Sequence, residues 1–135
     1  MDTGSEALTN GIRVRVQPEF VPDGNVQVDA KYVWSYRITI INEGDEWVKL
    51  LARHWVIIND ETEKEEVTGE GVVGYTPELK PGDSFTYSSF CPLNTPWGTM
   101  EGTFQMRRND GTMFEARVER FFLLSPEAQN ANDDN

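Results

Sequence analysis

The sequence predicts an all-β protein, a β-sandwich of immunoglobulin or fibronectin III type with about seven antiparallel strands. Three observations carry that expectation. Apolar residues recur at every second position in several stretches, the period of a half-buried strand. Turn residues punctuate the chain at short intervals. No segment combines a helical period with capping residues at its ends. The 135 residues suit one domain, large enough to bury a core without a metal or disulfide staple.

Residues 1–10 are polar and acidic and read as a flexible N-terminus. Ile12, Val14 and Val16 then alternate with Arg13 and Arg15, a first strand that Pro18 ends or places at an edge. Pro22-Asp23-Gly24-Asn25 reads as a turn. Tyr32, Trp34, Tyr36, Ile38 and Ile40 hold one face of the strongest strand, which Asn42-Glu43-Gly44-Asp45 turns. Trp47 to Ile58 is apolar on both faces and rich in β-branched and aromatic residues, so it reads as a central strand, although its length would also fit a short helix. A brief pairing over Glu65–Gly69 precedes a Gly- and Pro-rich loop to Asp83. Phe85, Tyr87 and Ser89 alternate again. Cys91 to Gly98, with two prolines, reads as loop. Met100, Phe104 and Met106 share a face with Gly102, and Asn109-Asp110-Gly111 is a hairpin turn. Phe114, Ala116 and Val118 form the last strand, which runs out through Leu124. The domain therefore spans 11–124, and 125–135 reads as a disordered acidic tail.

Composition excludes several classes. With 12 basic and 23 acidic residues the net charge is −11, which opposes duplex nucleic acid or an anionic membrane as a partner. One Cys and one His exclude a Cys/His zinc cage, an internal disulfide and the inter-sheet bridge of antibody domains. The N-terminus lacks a basic and then apolar leader, so a cytoplasmic location is expected. An uncovered edge strand would permit a homodimer by sheet extension, with Arg13, Arg15 and Pro18 placed as edge protection.

Arg53-His54-Trp55-Val56-Ile57, Val67-Thr68-Gly69-Glu70-Gly71-Val72-Val73-Gly74, Pro77, Leu79 and Pro81-Gly82 resemble the ApaG domain family. The resemblance continues through Phe85, Tyr87, Ser89, Leu93, Thr95-Pro96, Gly98, Met100, Gly102 and Met106 to Asp110-Gly111, Phe114 and Phe121. It implies a fibronectin III-like sandwich and, in bacteria, an association with cobalt and magnesium homeostasis and with a neighbouring diadenosine tetraphosphatase gene. Eukaryotic relatives carry the domain within an F-box protein and a polymerase-interacting protein, which implies protein–protein contact. One departure stands out: the turn after Asn59-Asp60, where the family usually has Gly, reads Glu61-Thr62-Glu63.

Gly69-x-Gly71-x-x-Gly74 spells a dinucleotide fingerprint, but that chemistry needs a helix to follow the loop. Pro77 disfavours helical geometry at Thr76, so a Rossmann site is rejected. What remains is an anion-binding nest of backbone N–H groups, assisted by Arg53 or Lys80, or glycines that serve turns and close packing. Arg53 is equally placed to cover Trp55 as a cation–π partner. His54 lies on the opposite strand face from both and reads as structural. No Gly-x-Ser-x-Gly elbow exists to present a nucleophile, so no catalytic residue is assigned and an enzyme is not expected. The acids Asp60, Glu61, Glu63, Glu65 and Glu66 lack EF-hand spacing and read as a solvated turn, so neither metal nor cofactor is assigned. Cys91 has no electropositive setting and reads as an ordinary free thiol. Trp97, in a Pro-flanked stretch, is suited either to anchor a partner or to cap the core. The leading expectation is a non-enzymatic protein-interaction module. The alternative is a pyrophosphate- or nucleotide-binding protein that uses the Gly69–Gly74 loop.

Overall fold

The computed structural model describes residues 3–22 and 29–133. The expected turn at Asp23-Gly24-Asn25 lies outside the described residues. The strands are β1 (Ser5–Thr9), β2 (Ile12–Val21), β3 (Tyr32–Asn42), β4 (Val48–Asn59), β5 (Lys64–Glu70), β6 (Glu78–Leu79), β7 (Ser84–Leu93), β8 (Trp97–Arg108) and β9 (Met113–Leu124), followed by helix α1 (Pro126–Asp133). One sheet runs β1-β2-β3-β7. The other runs β5-β4-β8-β9, with β6 paired to β4 beyond β5. Apart from β1 and the short β6, seven antiparallel strands make the sandwich, as the sequence predicts.

Period-two patterning explains the core. Val14, Val16, Trp34, Tyr36, Ile38 and Ile40 from one sheet face Trp55, Phe104, Met106, Ala116, Val118 and Phe121 from the other, all buried. Trp55 sits at the centre of an aromatic cluster, edge-on to Tyr36, Phe104 and Phe121 at centroid distances of 5.7, 5.9 and 6.1 Å.

The double-faced apolar run in β4 has a specific cause. Leu50 pairs with Met106 but Ala52 pairs with Gln105, so Leu51 is the extra residue of a bulge. The bulge reverses the phase: Val48 and Leu50 point inward before it, Trp55 after it. The central-strand expectation is correct, and the helical alternative is excluded.

Three segments differ from expectation. Residues 5–9 form a paired strand: Asn10 and Gly11, both at positive φ (49° and 83°), make the tight turn of a β1–β2 hairpin. Arg13 and Arg15 consequently do not guard an open edge. They hydrogen-bond to Glu6 of β1 at 2.7 and 2.6 Å, and Arg13 also to Glu43. Pro18 sits beyond Val16, the last β2 residue paired by β1, where the outer edge needs no donor. At the other end, 126–133 is helical rather than disordered. Ser125 caps the helix by accepting the Ala128 N–H at its Oγ, and Pro126 opens it. Tyr32 anchors it by donating to Glu127 at 2.6 Å. Finally, Cys91–Gly98 is mostly strand, because β7 runs to Leu93 and β8 starts at Trp97.

Candidate functional site on the open side of the sandwich

The two long sides of the sandwich are unlike. On one, β1 closes against β9: Phe122 N–H donates to Thr3 O, Ser5 Oγ donates to Glu119 O, and Thr9 Oγ1 accepts Arg117 N–H. On the other, β5 and β7 end their sheets without a paired outer neighbour among the described residues. Between them lies a pocket of about 270 Å³ with apolar walls from Trp55, Ile57, Val67, Leu93 and Met100, and with Arg53, Glu65 and Cys91 in its lining.

Arg53 and Trp55 share the inward face of β4, as their spacing predicts, while His54 lies opposite and part-exposed, 3.9 Å from Glu66. Gly69 pairs directly with Arg53. A Cβ there would meet the guanidinium at 2.7 Å, so the missing side chain makes room for Arg53. The guanidinium Nη1 donates to Glu70 O at 3.1 Å and Gly71 O at 2.9 Å. Arg53 therefore binds carbonyl oxygens rather than the Trp55 ring.

The glycine loop is a second tight hairpin. Val72 and Tyr75 exchange both backbone hydrogen bonds at 2.8 Å, around Val73 (φ 42°) and Gly74 (φ 88°). Gly71 N–H is spent on Leu51 O, the carbonyl at the β4 bulge. A Cβ on Gly71 would collide with Tyr75 O. Thus the structure brings Gly69, Gly71 and Arg53 together around carbonyls instead of around converging N–H groups, and Gly74 faces open space. This geometry opposes an anion.

Two side chains in these turns are strained. Val73 is β-branched, at positive φ and 47% exposed. Thr62 (φ 63°) occupies the left-handed position of the β4–β5 turn, with its N–H on Asn59 O. The non-glycine sequence noted at that turn is thus accommodated by strain. Because L-residues lose about 1–2 kcal/mol in this region, Thr62→Gly and Val73→Asn are each expected to raise stability by about 1 kcal/mol in chemical denaturation. Unchanged midpoints would show that the strain is already relieved by other contacts.

Burial, and secondarily the Glu65 charge, pushes the Cys91 thiol up to about 12, so it stays protonated at neutral pH. Burial likewise raises the Tyr87 hydroxyl. Among the described residues, neither Tyr87 Oη nor the buried Trp55 indole N–H has a hydrogen-bond partner. Among the described residues no three His, Cys, Asp or Glu side chains cluster as a metal site, and no helix is long and apolar enough to cross a membrane.

Two exposed aromatic side chains border β7. Phe90 of β7 is 55% exposed, and Tyr75, 62% exposed, leans on Phe85 at 5.9 Å. Trp97 is placed elsewhere. It opens β8 opposite Leu124, is 40% exposed, and does not line the pocket. Sequence reasoning missed the role of β7, because it stopped that strand before Cys91.

Comparison with known proteins agrees with the architecture. The ApaG domain family model matches residues 23–108. Protein ApaG of Brucella anthropi is 48% identical over 121 residues, 90% of this chain and 93% of the relative. Protein ApaG of Anaeromyxobacter dehalogenans is 42% identical over 126 residues, 93% of this chain and 99% of the relative. A crystal structure described as the putative ApaA protein from Bordetella pertussis superposes with a TM-score of 0.79 at 40% identity, covering 85% of this chain and 94% of that one. With the matched fold and this extent of identity, the chain belongs to the ApaG family.

Proposed function

We propose that the chain is a non-enzymatic protein-interaction module, acting in the cytoplasm, whose contact surface is the open side between β5 and β7. The observation that supports it is the pocket between two sheet edges that are unpaired among the described residues, with the exposed Phe90 in its lining. Isolated surface apolars are ordinary, but an exposed aromatic that lines an apolar groove suits a contact site. A role in cobalt and magnesium homeostasis, which the family resemblance implies, would then be exercised through a partner. The pyrophosphate reading has the carbonyls around Arg53 against it.

The test places a photocrosslinking residue at Phe90, at Trp97, or at Leu8, which is exposed on β1. A discrete crosslinked partner from cells is expected at position 90 and not at position 8. A product only at position 97 would move the contact to the outer face of the other sheet. No product at any position would overturn the interaction reading.

A further inference from the structure

We propose that the outer edge of β7 accepts an extended, basic segment of a partner protein as an added strand, with the acids of β5 facing its positive side chains. This rests on the interaction reading and adds the partner's conformation and charge.

The backbone of β7 is ready for such an addition. Asn42 N–H donates to Asp83 O at 2.9 Å, which continues the β3–β7 ladder one step past Ile41 and Ser84. Alternate residues of an antiparallel ladder face the partner strand. Phe85, Tyr87, Ser89 and Cys91 therefore serve β3, and Ser84, Thr86, Ser88 and Phe90 direct their N–H and C=O groups outward. Pro92 agrees independently: it falls at an outward position, where a missing N–H costs no ladder bond.

Among the described residues this edge also lacks the usual protection. Exposed edges are blunted by charge, proline, bulges or cover. From Ser84 to Leu93 there is no charged residue and no proline before Pro92, and the β3–β7 register has no shift. The β9 edge is covered by β1. The β5 edge carries Lys64, Glu65, Glu66 and Glu70.

Charge selects the occupant. Six acids lie between Asp60 and Glu70 against the single base Lys64, and Glu65 itself lines the pocket. A second copy paired through β7 would bring its own β5 acids against these, and like charges across an interface oppose association. A strand bearing Lys or Arg meets attraction instead. Its alternate side chains face the apolar pocket walls, among them Trp55, Val67 and Met100.

The test is an amide NMR titration with a short peptide alternating lysine and valine, beside its glutamate–valine counterpart. Saturable shifts are expected over Ser84–Cys91 and Lys64–Glu70 with the lysine peptide, at affinities up to about millimolar, weakening with salt. The glutamate peptide should bind at least roughly tenfold more weakly. Ser88→Pro removes an outward N–H but no bond to β3, so it should abolish the shifts while leaving the melt near that of the parent. Glu65→Lys with Glu66→Lys should reverse the peptide preference, and decides the matter if Ser88→Pro does not fold. Equal binding of both peptides, shifts elsewhere, or no binding overturns the proposal. So does a concentration-dependent dimer that Ser88→Pro dissolves, which assigns the edge to a second copy. Crosslinking through position 90 without peptide shifts removes this binding mode and leaves the interaction module standing. Loss of both removes both.

Discussion

Gly102→Ala is expected to leave little folded protein. Gly102 lies on β8 opposite Trp55 of β4, at the middle of the larger sheet. A Cβ there would collide with the His54 carbonyl oxygen and stand 3.0 Å from the His54 carbonyl carbon and 3.1 Å from Trp55 Cε3. Two of these three atoms belong to a central-strand backbone, which cannot swing aside as a lysine tip would. The third belongs to the ring that Tyr36, Phe104 and Phe121 hold in place. Relief requires β4 and β8 to separate or Trp55 to tip, and either loosens the core. A cost above about 4 kcal/mol belongs to this class of lesion, against a total stability of about 5–15 kcal/mol for a domain. Gly74→Ala is the control, since its Cβ meets nothing within 4 Å although φ is +88°. It should lose only the backbone term, about 1–2 kcal/mol. Denaturant melts of the two variants separate steric from torsional cost. A Gly102→Ala melt within about 1 kcal/mol of the parent would show that the strands part without penalty.

Gly102 also shows how far the sequence could be read. Its place on the buried face with Met100, Phe104 and Met106 followed from alternation alone, and the faces of β2, β3 and β9 were equally plain. Local signals that were present but outweighed account for two misses. Asn10-Gly11 is among the strongest hairpin dipeptides, yet the polar character of the first ten residues suggested flexibility. Ser125-Pro126-Glu127 carries a cap, a first-turn proline and a favourable acid, yet the tail composition suggested disorder. The open side was hidden for a different reason. It depends on β7 pairing with β3 and β8 with β4, contacts between residues far apart in sequence, and on which edges β1 happens to close. Period and turn chemistry specify strands, whereas strand order decides which edges remain bare. The same holds for Arg53: its face was legible, but the carbonyls of Glu70 and Gly71 that occupy it arise from the bulge and hairpin acting together.

Asn42→Leu should cost about 3 kcal/mol, because it removes one side chain that satisfies three backbone groups. Asn42 is only 1% exposed. Its Nδ2 donates to Glu46 O at 2.7 Å and to Leu79 O at 2.9 Å, and its Oδ1 accepts Gly44 N–H at 3.0 Å. Its backbone adds bonds to Asp83 and from Gly82. One residue thus ties the end of β3 to the 43–46 turn and to the segment leading into β7, the strand on which the proposed interaction surface depends. Leucine fills similar space but leaves these groups without partners, at a cost independent of pH relative to the parent. Asn42→Asp behaves differently. Its ionised carboxylate would set a negative oxygen against the Glu46 and Leu79 carbonyls, so burial and repulsion raise its folded pKa above the unfolded value of about 3.9. Below that value both states are protonated and the deficit is smallest. As pH rises through it, the unfolded state ionises first and stability falls until the folded pKa is passed. Denaturant melts of the parent and both variants at pH 4 and pH 7 check this. Asn42→Leu should show the same deficit at both, and Asn42→Asp a larger one at pH 7. A pH-independent Asn42→Asp deficit would mean that the side chain turns out to solvent and that the three bonds do not hold this corner of the sandwich.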